Sequence, residues 1–86
     1  MKLSQTGTGG GENSIPLFDA KGLNTMPMQV QVEGTADFVI EGRVSPEAPW
    51  MEIANGSADI LQSAMWVPYI RLRVTSGTGT AVLWVL

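Results

Sequence analysis

Histidine and cysteine are both absent from the 86 residues. Their absence excludes imidazole acid–base catalysis, a thiolate nucleophile, a zinc finger and a disulfide framework. Charge is sparse: 5 Lys and Arg stand against 8 Asp and Glu, a net −3. That balance lacks the clustered cations of a nucleic-acid footprint, so no nucleic-acid partner is expected. No apolar run reaches the roughly 18 residues of a membrane span. The opening Met1-Lys2-Leu3-Ser4-Gln5-Thr6-Gly7 has no apolar signal core. The expectation is no membrane partner and a chain that is not a Sec substrate.

What is present points to one small β domain. Val, Ile and Thr together supply 20 of the 86 residues, with 10 Gly and 5 Pro between them. β-branched residues suit the pleated, half-buried surface of a strand, and Gly and Pro punctuate it. Apolar residues make up 44% of the chain, a high share for so short a sequence, which reads either as assembly or as a compact, Val-rich core.

Alternation then locates the strands. Met28, Val30 and Val32 fall on one face, against Gln29, Gln31 and Glu33. Phe38 and Ile40 oppose Asp37, Val39 and Glu41, and Gly34-Thr35 between the two runs predicts a hairpin. Met51 and Ile53 oppose Trp50 and Glu52. Asn55-Gly56 after them is the chain's strongest hairpin signal, with a return strand expected from Ala58 to Leu61. Gln62 to Trp66 reads either as a loop or as a short helical turn. Ile70, Leu72 and Val74 oppose Tyr69, Arg71, Arg73 and Thr75, and Ser76-Gly77-Thr78-Gly79 turns the chain. The final run, Val82-Leu83-Trp84-Val85-Leu86, is apolar on both faces, which predicts cover on both sides.

These strands predict an all-β fold: a small antiparallel β-sandwich (jelly-roll-like) or barrel of six to eight strands. Gly7, Gly9, Gly10 and Gly11 cannot pack a core. Residues 1–17 are therefore expected as a flexible Gly-rich arm, extending along a partner, and residues 18–86 as the single domain. Pro16 confines the short apolar segment Ile15-Pro16-Leu17-Phe18 to an edge.

Little in the chain carries chemistry. Gly7 to Gly11 lacks the Lys-Ser/Thr ending of a phosphate loop, and no calcium-loop spacing occurs. No catalytic residue, cofactor or metal is assigned, and the expectation is a protein that is not an enzyme. Tyr69, Arg71 and Arg73 share one strand face. They read either as interface anchors or as a solvated face paired to a Glu or Asp on the neighbouring strand. Trp50 and Trp66 admit a sugar-binding platform or a core role.

Three segments together resemble the small β-sandwich virion proteins of tailed bacteriophages. They are Asp37-Phe38-Val39-Ile40-Glu41-Gly42-Arg43, then Pro49-Trp50-Met51-Glu52-Ile53, then the stretch from Pro68-Tyr69-Ile70-Arg71 through Thr75-Ser76-Gly77-Thr78-Gly79-Thr80. In those proteins a strand with F-x-I-x-G precedes a loop and a strand-opening Trp, and a Y-I/V-R-x-R/N-V-T-S-G-T-G segment comes late. The resemblance covers residues 28–86. The chain departs from the commoner form at Pro46-Glu47-Ala48-Pro49, where Gly and Asn usually precede the Trp.

The resemblance implies a head decoration (cement) protein on the capsid surface of a virion. It would be made in the host cytoplasm, bind the major capsid protein, and form a homotrimer. Tyr69, Arg71, Arg73, Val82, Trp84 and Leu86 are the expected contact residues. A tail, neck or spike component and a carbohydrate-binding β-sandwich module are the alternatives.

Overall fold

The computed structural model describes residues 2–8, 13–16 and 25–86, the last of these without a break. Eight strands run through them: β1 (Lys2–Thr6), β2 (Asn13–Pro16), β3 (Thr25–Glu33), β4 (Asp37–Arg43), β5 (Met51–Gly56), β6 (Ile60–Met65), β7 (Tyr69–Ser76) and β8 (Thr80–Val85). They form two four-stranded antiparallel sheets, β1-β8-β3-β6 and β2-β7-β4-β5. This strand order is that of an eight-stranded jelly roll, so the fold is a sandwich and not a closed barrel.

The alternation read from the sequence fills the space between the sheets. One sheet turns Leu3, Met26, Met28, Val30, Leu83 and Val85 inward. The other contributes Phe38, Ile40, Ile70, Leu72 and Val74. Phe38, Ile40, Ile70 and Leu72 are essentially inaccessible to solvent. Each such side chain contributes about 1.5–3 kcal/mol by leaving water.

Connectivity is where the structure corrects the sequence. The Gly34-Thr35 and Asn55-Gly56 turns were each expected to close a hairpin, and Ser76–Gly79 to turn the chain. All three carry the chain from one sheet to the other: β3 to β4, β5 to β6 and β7 to β8. Gly56 is not among the positive-φ glycines, so the type I′ geometry that makes Asn-Gly a hairpin signal is not adopted there. Among the described links, only residues 44–50 join neighbours in one sheet, β4 and β5. That is the loop containing Pro46 and Pro49.

Two of these crossovers are fastened together at one end of the sandwich. The Gly79 amide donates to the Thr35 carbonyl at 2.8 Å, and the Gly7 amide donates to the Gly79 carbonyl at 2.9 Å. Gly77 has φ 92° and lies hard against the Thr35–Ala36 backbone, where a side chain has no room.

Three further expectations change. Residues 62–66 hold neither a loop nor a helical turn over most of their length, since β6 runs to Met65. The expected free arm over residues 1–17 is not seen in its described parts. β1 pairs with β8 from Lys2↔Trp84 to Thr6↔Thr80, and β2 pairs with β7. Leu3 and Gln5 point into the sandwich, and β8 would otherwise present a bare edge. Pro16 does end an edge strand, as expected, while Leu17 and Phe18 lie outside the described residues.

Candidate functional site

The sandwich has two outward faces, and they are built differently. On the β2-β7-β4-β5 sheet, cross-strand pairing sets Glu41 opposite Arg71 and Val39 opposite Arg73. Both arginines converge on one oxygen: Arg71 Nε donates to Glu41 Oε1 at 2.8 Å, and Arg73 Nε donates to the same atom at 2.7 Å. Glu41 points away from the core yet is only 8% exposed. Burial pushes its carboxyl pKa up, the hydrogen bonds and charges of Arg71 and Arg73 pull it down, and the arginines win. The group is held below its ordinary range.

Aromatic rings extend this cluster. The guanidinium carbons of Arg43 and Arg71 lie 4.2 and 4.5 Å from the Trp50 ring centroid, and Arg43 also lies 5.5 Å from that of Tyr69. Arg43 Nη1 donates to the Pro46 carbonyl at 3.0 Å, tying the stack to the β4–β5 loop. Glu41 faces Glu52 across β5, and Asn55 Nδ2 donates to Glu52 Oε2 at 2.8 Å. Between Ile40 and Glu41 the β4–β5 register shifts, leaving Ile53 as the extra residue. Ile53 and Val67 then crowd Gly42. A Cβ there would sit 2.6 Å from Val67 Cγ2 and 2.8 Å from Ile53 Cδ1. The Gly of F-x-I-x-G thus marks close approach at this end of the sandwich.

Among the described residues, the outward face of the β1-β8-β3-β6 sheet carries no arginine and so no cluster of this kind. Rows across the sheet read Lys2, Trp84, Gln29 and Leu61, then Ser4, Val82 and Gln31. Lys2 Nζ lies 5.6 Å from the Trp84 ring centroid. A shallow groove of about 310 Å³ runs between Pro27, Gln29, Leu61, Trp84 and Leu86. Leu61 is 79% exposed, Met65 78% and Leu86 91%.

The six contact residues expected from the sequence therefore do not converge. Tyr69, Arg71 and Arg73 lie on one outer face, and Val82, Trp84 and Leu86 belong to the opposite sheet. The arginines follow the paired reading, with Glu41 as the neighbouring-strand acid. β8 was expected to be covered on both sides. Its Ala81, Leu83 and Val85 are buried, while Val82 and Trp84 are only half-buried. Trp50 stacks with arginines and Trp66 packs against the core, and both rings are half-buried. Sequence reasoning read Met65 only as adaptable packing at a core or a partner surface, and missed its pairing with Leu61 on one exposed face. Their signal, two apolar residues four apart around Ser63, was masked by the adjacent Ile60 and Ala64.

Among the described residues, no group of three or more acidic side chains is placed to hold a metal ion. No helix of the described residues is long and apolar enough to cross a membrane. No protein family, curated protein or solved structure matches the chain.

Proposed function

We propose that the protein is a structural component of a tailed-bacteriophage virion, a decoration protein that binds the major capsid protein lattice at the head surface. The observation that carries this reading is the outer face of the β1-β8-β3-β6 sheet. Exposed Leu61 and Leu86 there line one groove with half-buried Trp84. Single exposed hydrophobics are ordinary, but a contiguous apolar patch on a small domain marks a surface meant for a partner. The residue pattern of 37–43, 49–53 and 68–80 supplies the kind of partner, since it resembles virion proteins. The fold by itself assigns nothing, because jelly rolls serve many functions.

Quantitative mass spectrometry of purified phage particles tests the reading. A decoration protein is expected in copy number comparable to the major capsid protein. A small fraction of that number moves the protein to the tail or neck, and absence from particles overturns the proposal.

A further inference from the structure

Among the described residues, each sheet of the sandwich ends in two edge strands, and an edge strand offers unpaired backbone groups to any other chain. Three of the four carry a device that discourages pairing. β1 (Lys2–Thr6) bears Lys2, β2 (Asn13–Pro16) ends in Pro16, and β5 (Met51–Gly56) bears Glu52 and the bulge at Ile53. β6 (Ile60–Met65) reads Ile-Leu-Gln-Ser-Ala-Met, with no charge, no proline and no bulge. Asp59, the nearest charge before it, accepts a hydrogen bond from the Val32 amide at 2.8 Å and lies outside the strand. Leu61 and Met65, the most exposed large hydrophobics of this sheet apart from Leu86, both belong to β6.

We infer that β6 is an assembly edge, and that its occupant is β6 of a second copy of this chain. The sequence of the strand is self-complementary in one antiparallel register. With Ser63 opposite Ser63 on a two-fold axis, Leu61 of each copy lies opposite Met65 of the other, and Gln62 lies opposite Ala64. Shifting the register by two residues in either direction breaks both Leu–Met pairs. A two-fold axis through Ser63 keeps the outward faces on one side. The two four-stranded sheets become one eight-stranded sheet, and the two exposed apolar patches become continuous. The contact is isologous, so it closes at two copies and does not propagate. It replaces the homotrimer implied by the resemblance to virion proteins, and it holds whatever the dimer binds.

Light scattering on the intact protein is expected to give twice the 9.2 kDa chain mass. A monomer at high concentration, or a trimer, overturns the inference. The register is tested by single cysteines, which are unambiguous because the chain has none of its own. Facing residues of an antiparallel pair have Cα atoms about 4.5–5.5 Å apart, within disulfide reach. Ser63→Cys is expected to cross-link to a covalent dimer under mild oxidation. Leu61→Cys alone and Met65→Cys alone are not, whereas a mixture of those two variants is expected to give the mixed dimer. Cross-linking at Leu61→Cys alone, or none at Ser63→Cys, contradicts the pairing. Ser63→Lys sets two ammonium groups face to face across the axis and is expected to yield a monomer with unchanged circular dichroism. A folded Ser63→Lys dimer also overturns it.

Discussion

The two outward faces of the sandwich start from the same rule and end differently. Both are strand faces whose alternate residues point away from the core. On the β2-β7-β4-β5 sheet those residues are Arg71, Arg73, Glu41 and Arg43, and they close over one another with Trp50 and Tyr69. On the β1-β8-β3-β6 sheet they include half-buried Val82 and Trp84, the latter under Lys2, and exposed Leu61 and Met65. One face carries a closed ion-pair cluster, while the other leaves Leu61 and Met65 open to solvent. Arginine and tyrosine are enriched at interfaces, yet here they are committed internally. The proposed docking surface lies instead among the exposed apolar side chains of the other face.

Breaking the self-satisfied face should have the larger effect on stability. Glu41→Ala leaves two arginines, one of them largely buried, without their shared acceptor. The expected loss is about 2–3 kcal/mol, from the charge-assisted hydrogen bonds that are removed. For a domain of this size each kcal/mol lowers Tm by roughly 4–8 °C, and a denaturant midpoint measures the same loss independently. An unchanged midpoint would mean that the cluster is decoration on an already sufficient core.

Acid should sharpen the same contrast. The folded-state pKa of Glu41 lies below its unfolded value. The carboxylate's contribution is therefore fully present above the ordinary carboxylate range and is lost as pH falls through the lowered folded pKa. Stability measured from pH 7 downward is expected to fall in that acidic window. Glu41→Gln should flatten this part of the curve, because nothing remains there to protonate. An identical slope in the variant would assign the acid sensitivity to other carboxylates.

Much of the fold was legible in residue alternation. The inward sets Met28-Val30, Phe38-Ile40 and Ile70-Leu72-Val74 all lie in the core as their period of two requires. Connectivity was not legible, because Gly34-Thr35, Asn55-Gly56 and Ser76–Gly79 are turns in either topology. Whether a turn closes a hairpin or crosses between sheets depends on which strand lies alongside, a long-range fact that local propensity does not hold. β1 was hidden because its inward set is Leu3 and Gln5, only one of them apolar, followed at once by glycines. Its place became visible only with β8 beside it. The acid partner of Arg71 and Arg73 was legible as a type and a neighbouring strand, but not as Glu41, since the register across β4 and β7 decides it. The β6 edge escaped notice because a one-dimensional pattern does not say which strands end a sheet.

The docking role of the β6 side is tested most directly by methionine oxidation mapped by mass spectrometry, which compares regions within one molecule. Met65 on β6 and Met51 on β5 are similarly exposed, at 78% and 66%, while Met26 and Met28 are buried. In dilute protein, Met65 and Met51 are expected to react at similar rates and the buried pair slowly. As concentration rises into the assembled range, Met65, then beside Leu61 of the second copy, should react more slowly while Met51 stays as reactive as before. Protection of Met51 with Met65 still open, or no change at either, would contradict the account.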